Sequence, residues 1–144
     1  MQGSKLGPIL FSIFINDLLD QLHNSKLGAT LGGVTVSALG FADDIALVAG
    51  ENNRMRELIN ICGTWSKRNG MDFKVSKCKV MVLNGANKGK TWELLEQELE
   101  VKKSHKYLGV TFSSTRLTSL YTEHFNNIVQ KANKRINCIR HFWI

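Results

Sequence analysis

The sequence has few cysteines, a single proline and no long hydrophobic run. Its 144 residues include three cysteines, Cys62, Cys78 and Cys138, which stand far apart and form no C-x-x-C pair. This usage argues against a disulfide framework, so we expect a reducing, intracellular compartment, either cytoplasmic or nuclear. The apolar runs are far shorter than the roughly 20 residues that a membrane-spanning helix needs, so no membrane partner is expected.

Positive charges are scarce in the first 50 residues and abundant in the rest of the chain. Up to Gly50 there are two Lys against four acidic residues, and after it seventeen Lys and Arg against eight acidic residues, for a formal net charge of +7. Such an asymmetry suits a protein that gathers carboxylates at a metal site and keeps cations for nucleic acid. Basic domains also bind other polyanions, so charge alone does not decide the partner.

Hydrophobic periodicity predicts three helices. Gly7-Pro8 opens an apolar helical pattern that extends to Leu22 and is apolar nearly all round, which predicts deep burial. A second, amphipathic helix is predicted over 52–69, with Gly70 placed to end it. A third is predicted from Tyr121 onwards, with one apolar stripe and several cations on its other faces.

Short apolar runs between these helices predict strands. The predicted strands cover 34–42, 45–49, 80–83 and 106–112, while 92–101 is ambiguous and favours strand at its end. Helices and strands in this order predict an α+β fold, in which one antiparallel sheet packs against helices.

Two adjacent carboxylates, Asp43 and Asp44, separate the apolar runs 34–42 and 45–49. This pattern is typical of a β-hairpin with the acids at its tip. Two carboxylates about 7 Å apart repel each other by roughly 2 kcal/mol at an effective dielectric constant near 20, and a bound divalent cation reverses that sign. Magnesium binds one or two protein carboxylates together with substrate phosphates. The pair is therefore a candidate metal site, with ordinary turn residues as the alternative.

Four motifs stand in the order of a known family, and the second of them contains this acid pair. The segment 2–11, followed by Ile-Asn-Asp-Leu at 15–18, resembles motif B of the reverse transcriptases of non-LTR (LINE-type) retrotransposons, and Phe-Ala-Asp-Asp at 41–44 resembles their motif C. Residues 65–79 are similar to motif D, and 106–110 to the strand called the primer grip. The last helix resembles the start of the thumb, so the resemblance covers nearly all of the chain.

The resemblance implies roles for individual residues. Asp43 and Asp44 are the implied ligands of Mg²⁺ or Mn²⁺, with Asp43 dominant because adjacent strand residues face opposite ways. Lys77 is the implied aid to proton transfer onto the leaving pyrophosphate. The implied nucleotide- and primer-binding residues are Gln2, Gly3, Phe41, Ala42, Tyr107, Leu108 and Gly109. The cations predicted to follow a nucleic-acid backbone are Lys131, Lys134, Arg135 and Arg140.

The chain also departs from the family pattern. Motif A, with its further catalytic aspartate, and the fingers would both precede Met1, and Lys74 stands where motif D usually has Asn. We therefore expect weak ion binding and no polymerisation by the chain alone.

The resemblance implies a division of the chain into the C-terminal part of a polymerase palm over 1–113 and the start of a thumb over 114–144. The complete form would use an RNA template, a DNA primer and deoxynucleotides. Three alternatives stay open: a non-catalytic nucleic-acid-binding remnant of a retroelement, a fragment similar to a group II intron maturase, and an unrelated basic module.

Overall fold

The computed structural model describes residues 6–83, 90–114 and 122–140. These residues form helices α1 (Gly7–Asn24), α2 (Asn52–Asn69) and α3 (Thr122–Arg140), with a 3₁₀ turn at Val75–Lys77. The strands are β1 (Ala29–Leu31), β2 (Val34–Val36), β3 (Ala38–Phe41), β4 (Asp44–Leu47), β5 (Lys79–Val80), β6 (Glu93–Leu94), β7 (Gln97–Glu98), β8 (Glu100–Val101), β9 (Ser104–Tyr107) and β10 (Val110–Ser113). The predicted α+β class is confirmed.

The described strands pair two by two rather than in one continuous sheet. Four pairs are antiparallel, namely β1–β2, β3–β4, β6–β7 and β9–β10, and the pair β5–β8 is parallel. Each antiparallel pair is a hairpin closed by a two-residue loop, so each of these strands pairs with the strand next to it along the chain.

The chain forms two compact units. The first comprises Met1–Val75 and Trp92–Glu98, and the second comprises Ser76–Thr91 and Leu99–Ile144. None of the described helices is long and apolar enough to cross a membrane. The predicted division into a palm part over 1–113 and a thumb part over 114–144 stays a prediction, since the units are defined by packing alone.

Helices α1 and α2 carry much of the core of the first unit. Leu18 and Leu22 of α1 and Leu58 and Trp65 of α2 are at most 1% exposed. The predicted span of α2 is confirmed, and the helix ends at Gly70, whose φ of 61° is the left-handed conformation that suits glycine after a helix.

The prediction that α1 is deeply buried is wrong for its N-terminal half. Ile9, Leu10 and Ile13 are 57%, 62% and 67% exposed, and the buried residues of the helix are Ile15, Leu18 and Leu22. Among the described residues, α1 packs on α2 and β3, which cover one side of the helix and mainly its C-terminal half. The apolar pattern therefore provides more apolar surface than the described part of the chain covers.

Several predicted strands have different bounds. The run 34–42 divides at Ser37 into β2 and β3, and the run 80–83 forms only the short strand β5 at Lys79–Val80. The run 106–112 is a hairpin instead of one strand, because Leu108 and Gly109 have φ values of 47° and 84° and reverse the chain. The ambiguous segment 92–101 does end in a strand, as the alternation suggested.

Candidate active site

The acid pair lies at the tip of the β3–β4 hairpin. Phe41 pairs with Asp44, so Ala42 and Asp43 form a two-residue loop. Ala42 has a φ of 52°, whereas Asp43 is not among the described residues with positive φ. A two-residue loop with positive φ at its first position usually has glycine there, and a residue with a Cβ costs about 1 kcal/mol. The hairpin therefore holds a strained alanine immediately before its two carboxylates.

The two faces of this hairpin have different surroundings. Gly40 faces α1, because a Cβ at this position would lie 3.0 Å from Leu19 Cδ1. Leu39 and Phe41, which alternate with Gly40, face the opposite way and are 52% and 63% exposed. Asp44 lies on this exposed face because it is the cross-strand partner of Phe41. An aromatic ring and a carboxylate are thus presented side by side next to the Asp43 loop.

Asp43 and Asp44 are exposed and carry uncompensated charge within the described part of the chain, where neither carboxylate has an ion pair or hydrogen bond. Over the same residues, no group of three or more His, Cys, Asp or Glu side chains is placed to hold a metal ion. The hairpin supplies two hard oxygen donors, which fits Mg²⁺ or Mn²⁺ bound with the help of water, phosphate or another segment.

The base of the hairpin is held by backbone contacts in the first unit. The amide of Val48 donates to the carbonyl oxygen of Ser37 at 2.9 Å, and His23 Nε2 donates to the carbonyl oxygen of Ala38 at 3.1 Å. Ser37 and Ala38 are buried, and a Cβ on Gly28 would lie only 2.1 Å from the carbonyl oxygen of Val36. The loop with the acids therefore extends from a closely packed base.

The second unit contains the segment that resembles a primer grip. The β9–β10 hairpin turns at Leu108 and Gly109, with Tyr107 half-buried and Leu108 50% exposed. The backbone amide of Thr111 in β10 donates to Nδ1 of His124 in α3 at 3.3 Å. The hairpin and the last helix are thus in direct contact.

Charge divides between the two compact units. The first unit contains seven Lys and Arg residues and ten acidic residues, a net charge of −3. The second contains twelve Lys and Arg residues and two acidic residues, a net charge of +10. Lys131 and Lys134 are exposed on α3, as are Lys103 and Lys106 at β9. The second unit is therefore the part with an electrostatic preference for a polyanion.

The other residues with predicted binding or catalytic roles lie either outside the described residues or away from the acid pair in the chain. Gln2 and Gly3 lie outside the described residues, as do the side chains of Arg135 and Arg140. Lys77 is exposed at the end of the 3₁₀ turn, in the second unit, whereas Asp43 belongs to the first. Their roles stay predictions.

Sequence reasoning missed an ion-pair network in the second unit. Glu100 in β8 pairs with Lys79 at 3.0 Å and also with Lys102, and hydrogen bonds from Lys102 and then Lys79 lower the pKa of its carboxyl. The local sequence does not predict this ion pair, because Lys79 and Glu100 come together only when β5 pairs with β8.

A second missed cluster joins α1 to α2. Oδ2 of Asp17 accepts hydrogen bonds from Trp65 Nε1 at 2.7 Å, Arg68 Nη2 at 2.9 Å and Gln21 Nε2 at 3.0 Å. The bond from Trp65 is the largest cause that lowers the pKa of Asp17, with Gln21 and Arg68 adding to it. Since the folded pKa is lowered, the stabilisation is present at neutral pH and lost as the pH falls through that pKa.

Comparison with known proteins identifies the family. The family model described as reverse transcriptase (RNA-dependent DNA polymerase) matches residues 1–112. The chain therefore belongs to the reverse transcriptase family, and the resemblance inferred from its motifs is confirmed.

Curated relatives come from retrotransposable elements. The chain is 31% identical over 124 residues to the retrovirus-related Pol polyprotein from type-2 retrotransposable element R2DM of Drosophila melanogaster, covering 79% of the chain and 12% of that relative. It is 28% identical over 148 residues to the Pol polyprotein from type-1 element R1 of Bradysia coprophila, covering 96% of the chain and 14% of that relative. The corresponding protein from type-1 element R2 of Popillia japonica is 26% identical over 124 residues, with 79% and 20% coverage. The chain thus spans about an eighth to a fifth of these relatives.

Proposed function

We propose that the chain is the palm and early thumb part of an RNA-directed DNA polymerase of the non-LTR retrotransposon type. The observation that carries the proposal is the Asp43–Asp44 pair, exposed and without an ion-pair partner in the described chain, at a strained hairpin tip in a member of the reverse transcriptase family. Backbone strain of this kind is concentrated at functional sites, where the surrounding structure holds it in place.

Asp43, with Asp44 in a secondary role, would hold Mg²⁺ or Mn²⁺. Ions held there would supply the positive charge that activates the primer 3′ hydroxyl and stabilises the leaving pyrophosphate. The protein's own part is to fix the carboxylates at the loop and to present Phe41 and Ala42 beside the primer end. Tyr107, Leu108 and Gly109 would support the primer from their hairpin, Gln2 and Gly3 would lie against the incoming nucleotide, and Lys77 would assist proton transfer to pyrophosphate.

The proposed polymerase site needs metal ligands from a segment other than the β3–β4 hairpin. One hairpin supplies two carboxylates, whereas two-metal transfer needs ligands from more than one strand at a fixed spacing. The exposed apolar residues Ile9, Leu10 and Ile13 support the same view, because a face of this kind is normally covered by further protein. Alone, the chain is expected to be inactive on template and primer.

A non-catalytic nucleic-acid-binding remnant is the second candidate, and the net charge of +10 on the second unit favours it. In that case Lys131, Lys134, Arg135 and Arg140 would bind a nucleic-acid backbone without any role for Asp43. A group II intron maturase is less well supported, because the curated relatives are Pol polyproteins of retrotransposable elements.

The metal site is tested by titrating the chain with Mn²⁺ while NMR follows its backbone amides. Signals of residues 41–45 should broaden first, and Asp43→Asn should weaken binding at least about tenfold, a loss near 1.4 kcal/mol. Asp72→Asn removes the same charge from an exposed site elsewhere in the first unit and should leave the titration unchanged. Equal broadening in the wild type and in Asp43→Asn would refute the assignment of Asp43 as the main ligand.

Nucleic-acid binding is tested with an RNA–DNA hybrid over a range of salt concentrations. Reversing the charges of Lys131, Lys134, Arg135 and Arg140 should abolish binding at moderate salt, since the log–log salt slope falls by about 0.9 for each phosphate that the protein no longer neutralises. A variant with Lys26, Arg54, Arg56 and Lys74 reversed has the same net charge and should keep most of the affinity. Similar reductions of affinity in both variants would show that only net charge matters.

A further inference from the structure

We propose that Asp17 is a positioning residue that sets the direction of the N-terminal half of α1 by anchoring the helix to the indole of Trp65. The proposal rests on the proposed function, because its consequence for nucleotide binding depends on the roles proposed for Gln2 and Gly3, which precede α1 in the sequence. The anchor itself is a property of the structure and can be tested without catalysis.

The hydrogen bond between Asp17 and Trp65 connects an exposed carboxylate to a buried indole. Trp65 is only 1% exposed, and an acceptor for its buried indole N–H spares the cost of leaving that donor unpaired. Asp17 is on the surface, with 56% of its side chain exposed, and reaches the indole at 2.7 Å. Arg68, one turn after Trp65 on α2, donates to the same carboxylate oxygen at 2.9 Å. One residue of α1 is thus held by two residues of α2.

Phe14 adds a second contact to the same indole. It lies one turn before Asp17 on α1, and its ring centre is 5.1 Å from that of Trp65 with the planes tilted by 58°. Phe14 and Asp17, three residues apart on one face of α1, therefore both contact the side chain of Trp65. Such a pair of contacts restricts both the rotation of α1 about its own axis and its tilt.

The N-terminal half of α1 has little other support in the described chain. Ile9, Leu10 and Ile13 are more than half exposed, and the buried residues begin at Ile15. Gly7 lies ten residues before Asp17, a distance of about 15 Å along the axis at 1.5 Å per residue. A tilt of about 10° at the anchor would move the start of the helix by roughly 3 Å, and displacements near 1 Å can cost about a hundredfold in rate.

The first test measures the direction of α1 relative to α2 in the 144-residue chain, from residual dipolar couplings of backbone amides. Asp17→Leu should change the couplings of residues 7–14, while Asp17→Asn should restore most of them because its carbonyl oxygen still accepts the indole N–H. Asp20→Leu is the matched control, since Asp20 is on the same helix and accepts a hydrogen bond from Asn16 of α1 itself. If Asp17→Leu does not fold, Asp17→Ala removes the same acceptor with a smaller side chain and should give the same change.

The second test uses a polymerase completed by an upstream segment from a related enzyme. Asp17→Leu should raise the KM for deoxynucleotide about tenfold or more with a smaller change in kcat, and Asp17→Asn should recover it, whereas loss of folded protein alone would lower kcat and leave KM unchanged. Unchanged couplings in Asp17→Leu, or changed couplings with an unchanged KM, would overturn the proposal. If the completed wild-type enzyme extends no primer, the proposed function fails, while the couplings still decide whether Asp17 anchors α1.

Discussion

Fusing a segment with fingers and motif A to the chain should give primer extension, and Asp43→Asn should then abolish it. The fusion places a fingers and motif A segment from a related LINE-type enzyme before Met1. The expected loss in Asp43→Asn is about a thousandfold, because removing a ligand that stabilises transition-state charge costs on the order of 4 kcal/mol. Asp44→Asn should lose less, since Asp44 is the strand partner of Phe41 while Asp43 occupies the loop.

The measurement is extension of a DNA primer on an RNA template by three purified proteins: the 144-residue chain, the fusion and the fused Asp43→Asn variant. The chain alone should be inactive, because one hairpin cannot hold two ions at a fixed spacing. Extension by the rigorously purified chain would contradict the proposal that the site needs metal ligands from another segment. A folded fusion that never extends a primer would favour the nucleic-acid-binding remnant.

The structural features that the sequence predicted well are local ones. Helix α2 has the predicted span because its apolar stripe and Gly70 specify both the buried face and the end of the helix within one segment. The β3–β4 hairpin was found for a similar reason, since two apolar runs flank a polar pair at the spacing of a tight turn.

The features that the sequence did not predict depend on tertiary context or on unusual backbone. An apolar run through Leu108 looks continuous, and only the positive φ of Leu108 and Gly109 reveals the turn. Asp17 and Trp65 are 48 residues apart in sequence, so no local pattern connects them. The exposed half of α1 could not be predicted either, because periodicity shows which residues are apolar but not whether another segment covers them.

Gly28→Ala should destabilise the first unit strongly, although it adds a single methyl group. Its Cβ would lie 2.1 Å from the carbonyl oxygen of Val36 and 2.5 Å from the amide nitrogen of Ser37. Both are backbone atoms, so no rotamer change can relieve the overlap and the chain itself has to move. Overpacking of this kind costs about 3 kcal/mol or more, which corresponds to a fall of about 10 °C in Tm.

The displacement should also reach the acid pair. The carbonyl oxygens of Ser37 and Ala38 fix the base of the hairpin through Val48 and His23, so a shift at Ser37 moves β3 and the loop that carries Asp43. Thermal unfolding followed by circular dichroism measures the stability, and the Mn²⁺ titration measures the metal site in the molecules that remain folded. Gly50→Ala is the matched control, because an added Cβ there has nothing within 4 Å. A Tm equal to that of Gly50→Ala would show that close packing at Gly28 does not constrain the fold. A lowered Tm with unchanged Mn²⁺ binding would show that the displacement does not reach Asp43.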